Sequence, residues 1–309
     1  MQETGFAWQG FCIIILYVMM SVFGTASNIA ASYFMVQRRR VTNFTILLLS
    51  LAHSDLLSSL FAPIAFVHDL LTVEKRWHLG SLMCRFLPAV VVMLLSVSSW
   101  SIVAIGIERL RMLSKPLRNR TPTIKSYAKL ALVWVLSGII SIPYTFAWRF
   151  DGARCEEVFD HIRRQQMFFY LTSLNMVIWA IPLLFLITSY GMSSRTLKKS
   201  MFTHENSRGV SKRLQKNRKA LKRMVILVCS FFLLNLPYSI FFCVIWHKRV
   251  FKPEDMTPRF VSKLNIWNCF LFTSCLISSC VNPWIYGNIY KYVPCCKQRF
   301  RRRSTNIPH

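Results

Sequence analysis

A chain of 309 residues could hold two soluble domains, but 53% of it is hydrophobic, the mean hydropathy is +0.37 and the apolar residues fall in long runs, so lipid rather than water is the solvent. Thirty-nine Lys and Arg stand against 12 Asp and Glu, a formal charge of +27 that in a soluble chain would suggest nucleic acid. The ten cysteines lie mostly inside the apolar runs, which excludes a disulfide scaffold.

In chain order, Met1–Gly10 contains Glu3 and no Lys or Arg, so it lacks the charged start of a cleavable signal peptide. The first run, 6–36, is expected to be its own signal, with no ligand-binding domain ahead of it. Runs at 44–71, 82–107, 128–148, 167–191, 223–246 and 264–290 follow. Each exceeds the ~20 residues a helix needs to cross the hydrocarbon core. The third and seventh carry more Ser and Asn than lipid-facing helices want and are expected at the centre of the bundle. The fold class expected is an all-α membrane protein, a seven-transmembrane helix bundle forming one domain over 1–309.

The segments after spans one, three, five and seven hold 27 of the 39 basic residues: Arg38, Arg39, Arg40 and those across 109–129, 195–223 and 291–309. The only acids on that face are Glu108 and Glu205, leaving it at +25. Short basic loops stay in the cytoplasm, which puts the N-terminus outside and predicts a multi-pass plasma-membrane protein. Topology and anionic inner-leaflet lipid account for the charge, so nucleic acid is not an expected partner and membrane lipid is. The sequons at Asn43 and Asn119 fall on the inner side and are expected to stay unglycosylated.

Basic residues at 212, 213, 216, 218, 219, 222 and 223 are spaced as helical extensions of spans five and six would be. Beyond span seven, Tyr290–Arg303 alternates aromatic and basic residues, as in a short amphipathic helix on the inner leaflet, with Pro294 interrupting it or fixing its start and the cytoplasmic tail running over about 291–309. Cys295 and Cys296, beside Lys297 and Arg299, suit palmitoylation. Cys12, Cys229, Cys243, Cys269, Cys275 and Cys280 read as small core hydrophobes, whereas Cys84 and Cys155 face the oxidising side.

The polar and proline residues within the spans form a set. Asn28 lies in span one, Leu51-Ala52-His53-Ser54-Asp55 in span two, and Glu108-Arg109 at the inner end of span three. Trp134 lies in span four, Pro182 and Tyr190 in span five, Pro237 in span six and Asn282-Pro283-Trp284-Ile285-Tyr286 in span seven. With Cys84 twenty-five residues before Arg109, this set resembles the rhodopsin-like (class A) G-protein-coupled receptors over essentially the whole chain. The resemblance implies a receptor, not an enzyme, that passes ligand binding to a heterotrimeric G protein and to arrestin. It also implies a Cys84–Cys155 disulfide and a sodium ion or waters held by Asp55, Ser98 and Asn282, with Ser278 nearby in place of a common Asn. The coupling switch it implies comprises Glu108, Arg109, Tyr190, Pro237, Asn282, Pro283 and Tyr286, with Arg109 paired to Glu108 at rest. No resident cofactor is implied beyond the possible allosteric sodium.

The sequence also departs from the family pattern. Leu110 replaces a usual Tyr, and Asn217 falls where some members place an acid that latches Arg109 to span six, so a high basal activity is expected. Asn235 replaces the Trp before the span-six proline and is expected to seek mid-membrane partners, the Asp55 network among them. The pocket positions carried over are Val91, Leu95, Leu174, Asn235, Tyr238, Phe242, Asn268 and Phe272. Val91 offers no counter-ion to a monoamine and Leu276 no retinal-binding amine; the apolar, aromatic lining suits the end of a neuropeptide-like peptide or, alternatively, a lipid. Two competing functions are a receptor-like scavenger or scaffold without G-protein signalling and an ion transporter or channel built on Asp55.

Overall fold

The computed structural model describes residues 2–37, 41–71, 77–114, 124–157, 161–203 and 208–287. The amphipathic helix expected after span seven, with Cys295 and Cys296, lies outside them. The helices are α1 (Gln2–Val36), α2 (Asn43–Leu71), α3 (Gly80–Ser114) and α4 (Ile124–Thr145), then a hairpin of β1 (Trp148–Phe150) and β2 (Cys155–Glu157). They continue with α5 (His161–Asn175), a π turn (Met176–Ala180), α6 (Ile181–Thr203), α7 (Arg208–Phe251) and α8 (Pro258–Gly287). Seven helical stretches are long and apolar enough to cross a membrane, the fifth being α5, the π turn and α6 in series. Helices serve because no water reaches the hydrocarbon core, so each backbone polar group needs a partner within its own segment. The basic run 212–223 lies on α7, in line with its spacing.

Around α3 sit α2, α4, α6, the π turn, α7 and β1, while α8 closes the bundle against α1, α2 and α7. The most apolar windows of α2 and α3 are each 56% buried and that of the seventh span 44%, against 17% for the fourth. Span two is thus as central as span three, which its hydrophobicity alone does not reveal. The reason is its serines: Ser50, Ser54, Ser58 and Ser59 are all buried and let neighbouring helices approach closely.

Several intramembrane prolines are matched by a side chain from another helix. A proline has no N–H for the carbonyl four residues back. Pro63 frees Ser59 O, which accepts from Ser21 Oγ of α1 at 2.7 Å. Pro182 frees Ile178 O, which accepts from Ser99 Oγ of α3 at 2.6 Å. Pro283 frees Ser279 O, which accepts from Asn28 Nδ2 of α1 at 3.0 Å. For Pro143 and Pro237 the filled carbonyl is one residue further on: Tyr170 donates to Ile140 O and Ser274 to Leu234 O, each at 2.6 Å.

Helices α1, α2 and α8 meet at Gly24. A Cβ there would overlap Ser59 Oγ and lie 3.0 Å from Ser59 Cβ and 3.1 Å from Cys280 Sγ. Gly24→Ala is therefore expected to cost about 1–3 kcal/mol of stability, read as a lower melting temperature of the detergent-solubilised protein.

The hairpin pairs Trp148 with Glu157, Arg149 with Glu156 and Phe150 with Cys155. It turns on Gly152, whose φ of +98° an L side chain rarely adopts. Asp151 Oδ1 accepts from the Arg154 and Ala153 amides at 2.6 and 2.8 Å, and these bonds hold its carboxyl below the usual carboxylate range, Arg154's most. The turn thus keeps both caps through ordinary pH and loses them only in stronger acid. Cys84 and Cys155 form a disulfide that ties β2 to α3. Trp77 packs beside it, donating its indole N–H to Gly80 O at 2.7 Å and its backbone N–H to Ala153 O at 2.7 Å.

Candidate functional site

Three tiers run along the bundle from the disulfide end to the Arg109 end. The first is aromatic. Tyr17 of α1, Ala62 of α2, and Phe272 and Leu276 of α8 form a buried cluster joined by Val91 of α3 and Tyr238 of α7. Phe272 meets Tyr17 edge-on at 5.6 Å and Tyr238 at 5.9 Å, and the rings continue through Phe242 to Trp246 in steps of 6.3 Å. Four of the pocket positions carried over from the family, Val91, Tyr238, Phe242 and Phe272, thus come together. Leu174 belongs to the main core, and Leu95 and Asn268 are half-buried outside the ring cluster. Tyr17, which donates its hydroxyl to Cys269 O at 3.0 Å, was not apparent from the sequence. Its only signal there is a polar-tipped ring at helical spacing within an apolar run.

The second tier is polar. Asp55 is 2% exposed. Its Oδ1 accepts from Ser98 Oγ at 3.1 Å and its Oδ2 from Asn282 Nδ2 at 2.9 Å, so one carboxylate joins α2, α3 and α8. Ser98 Oγ also shares a hydrogen bond with Ser54 Oγ at 2.8 Å. A mid-membrane carboxylate is costly unless such donors surround it. Asn282 Oδ1 is buried with no hydrogen-bond partner among the described residues. An orphaned acceptor beside a carboxylate and two hydroxyls is a donor set that suits a hard cation such as sodium, or water. Tyr286 OH reaches Asn28 Oδ1 at 3.5 Å, while Trp134 Nε1 donates to Ser50 Oγ at 3.0 Å, linking α4 to α2.

Beside this knot, Asn235 (2% exposed) donates Nδ2 to Ser278 Oγ at 2.9 Å and to Phe231 O at 2.8 Å. Ser278 takes its bond from Asn235, and Asp55 takes its bonds from Ser98 and Asn282. From span five, Trp179 of the π turn stacks on Phe231 of α7 at 5.5 Å and meets Phe232 edge-on at 6.1 Å. A large ring therefore does pack against the middle of span six, but it is carried by span five. One turn away, Ser239 of α7 donates its hydroxyl to Asn175 Oδ1 at the end of α5.

The third tier surrounds Arg109. Its guanidinium lies 3.8 Å from the centre of the Phe44 ring, a cation–π contact with α2. Glu108 lies 3.6 Å from Arg111, since residues three apart on a helix share a face and adjacent ones do not. Arg109 and Asn217 line one cleft with Met112, Leu113 and Leu221, between the ends of α3 and α7. Gly106, one turn before, lets α6 approach: a Cβ there would stand 3.1 Å from Leu186 and 4.0 Å from Tyr190. The Tyr190 hydroxyl is buried without a partner among the described residues, so it and Tyr286 are not joined in this arrangement. Among the described residues no group of His, Cys, Asp and Glu is placed to hold a metal together.

The chain is similar in sequence to known receptors. The profile described as 7 transmembrane receptor (rhodopsin family) matches residues 27–286. The neuropeptide Y receptor type 6 of Mus musculus is 24% identical over 301 residues, covering 90% of this chain and 77% of that one. The neuropeptide Y receptor type 4 of Rattus norvegicus is 24% identical over 299 residues, covering 89% and 75%. The substance-P receptor of Mus musculus is 23% identical over 302 residues, covering 95% and 70%. With the profile spanning most of the chain and seven membrane-competent helices in place, the protein belongs to the rhodopsin family of seven-transmembrane receptors.

Proposed function

We propose that this G-protein-coupled receptor takes a peptide at its disulfide end and passes the signal through the Asp55 tier to a heterotrimeric G protein at the Arg109 end. The observation that carries the reading is the stacking of the three tiers along one bundle axis: ring cluster, carboxylate knot and cationic cleft. The disulfide end faces outward and the N-terminus with it, because the spans' basic flanks gather at the other end. The receptors named above are neuropeptide Y and substance-P receptors, which favours a peptide over a lipid for the same apolar lining. Charges at the mouth agree: Lys248 lies 4.0 Å from Asp255 and 4.6 Å from the Phe260 ring, and Arg149, Asp151 and Arg154 crown the hairpin. Such mixed charge steers a charged chain toward an apolar pocket better than it steers a lipid.

Sodium fits the second tier, held by Asp55, Ser98 and Asn282, and its charge there would favour the closed arrangement. Arrestin would use the same cleft as the G protein, and anionic inner-leaflet lipid the basic face; Cys295 and Cys296 would carry palmitate.

The deciding experiment measures nucleotide exchange on purified G proteins by the receptor in nanodiscs, across an amidated-peptide library. Peptide-driven exchange supports the reading. Binding and internalisation of a peptide in cells with no exchange by any G protein would establish the scavenger reading instead, and a current dependent on Asp55 would establish the channel. In the same assay Asn217→Glu places a carboxylate in the cleft with Arg109, and basal exchange is expected to fall about 2–5-fold.

A further inference from the structure

Span six turns on Pro237, and α8 supplies the hydrogen bonds to the turn just before it. Pro237 has no N–H to give the carbonyl four residues back, which loosens the ladder of α7 just where its two halves join. Facing that point, Ser274 Oγ of α8 lies 2.6 Å from Leu234 O and 2.6 Å from Leu271 O of its own helix, sharing its proton between them. Cys275 Sγ lies 3.8 Å from Leu234 O. One turn along α8, Ser278 Oγ accepts from Asn235 Nδ2 at 2.9 Å. The amide's two N–H bonds are thereby both used, one on Phe231 O of its own helix and one on α8. Span five meets α7 through rings, Trp179 against Phe231, which can slide without a discrete loss, and through the Ser239–Asn175 hydrogen bond two residues past the proline.

These contacts differ in kind. An aromatic contact weakens gradually with displacement, whereas a buried hydrogen bond is lost within a fraction of an ångström and leaves a donor without water nearby. We propose that Asn235 and Ser278, with Ser274 on Leu234 O, form a polar clasp that holds the Pro237 hinge shut against α8 and sets how often span six opens without ligand. The clasp makes Asn235 a positioning residue rather than a ligand contact: it lies one turn deeper than Tyr238, whose ring closes the aromatic tier above it. A ligand that shifts Tyr238 moves the turn carrying Asn235 and Pro237, and the clasp turns that shift into a two-state event. The inference rests on the receptor reading only for the purpose of the motion; the clasp itself is a property of α7 and α8.

The test needs neither peptide nor G protein. Fluorophores are introduced through unnatural amino acids at Lys219 on α7 and Ile124 on α4, both exposed near the Arg109 end. Single-molecule energy transfer in nanodiscs then reports the ratio of open to closed receptors. Asn235→Leu is expected to raise that ratio about 5-fold or more, the worth of one buried hydrogen bond. Ser278→Ala removes a single oxygen and should raise it comparably, so it reads the same bond if Asn235→Leu does not fold. The exchange Asn235→Ser with Ser278→Asn restores a donor–acceptor pair across the gap and should return the ratio towards that of the unaltered receptor. Unchanged ratios in both single variants overturn the clasp, as does an exchange variant as open as either single one. Open-state shifts in a receptor that activates no G protein leave the clasp standing and sink the coupling reading; peptide-driven exchange with no such shifts sinks the clasp alone.

Discussion

Arg109→Ala is expected to abolish ligand-driven nucleotide exchange while leaving peptide binding nearly intact. Guanidinium is always charged and presents five donors, so it meets a G-protein segment with several charge-assisted bonds at once. Each such bond contributes roughly 1.5–3 kcal/mol, or about 10- to 100-fold in the coupled complex. At rest the group lies over the Phe44 ring and borders the cleft shared with Asn217, so it is held in the bundle rather than snorkelled away from it. Arg109→Lys keeps the charge but loses the planar fork and is expected to recover only part of the activity. Measuring exchange beside peptide affinity separates the two ends of the molecule: loss of both in Arg109→Ala would mean misfolding, and loss of neither would remove Arg109 from the coupling surface.

Asp55→Leu is expected to cost roughly 2–4 kcal/mol of stability, because it strands donors inside the bundle. Asn282 Nδ2 loses its acceptor, and the adjacent Oδ1 is already without a partner among the described residues. Ser98 keeps Ser54 and suffers less. Asp55→Asn retains shape and an acceptor and should melt close to the unaltered protein, while removing the charge that a sodium ion needs. A melting curve of the three proteins in detergent checks the first point. Sodium titrated against peptide affinity checks the second: the unaltered receptor should respond and Asp55→Asn should not. A carboxylate that can be replaced by Leu without loss would mean the knot contributes nothing to holding α2, α3 and α8 together.

The spans were legible because lipid imposes one rule on every segment, and apolar length satisfies it visibly. Charge at the segment ends was equally open to reading. The π turn at Met176–Ala180 was not, since inserting one residue into a helix leaves no compositional trace and Pro182 alone does not announce it. The hairpin was not legible either, because its strands are three residues each, too short for alternation to register. Asn235 was singled out as an amide in need of a partner, but Ser239, Ser274, Ser278 and Ser279 are all chemically able to serve. Only the rotation of α7 against α8 selects Ser278. Tyr17 was missed for a related reason: a helix facing lipid over most of its length hides a ring that turns inward.

The prolines have a consequence for how the chain assembles. Ser59 O, Ile178 O and Ser279 O are each supplied by a different helix from their own. A span inserted alone would hold that oxygen bare against hydrocarbon, at a cost of several kcal/mol per group. Each proline therefore addresses its helix to one neighbour: α2 and α8 to α1, and the fifth span to α3. In biogenesis α1 becomes the template that must be in the bilayer before the second and seventh spans can settle. Exchanging Ser21 or Asn28 for an apolar residue would then show first as receptors retained by quality control, before any change in what the survivors bind.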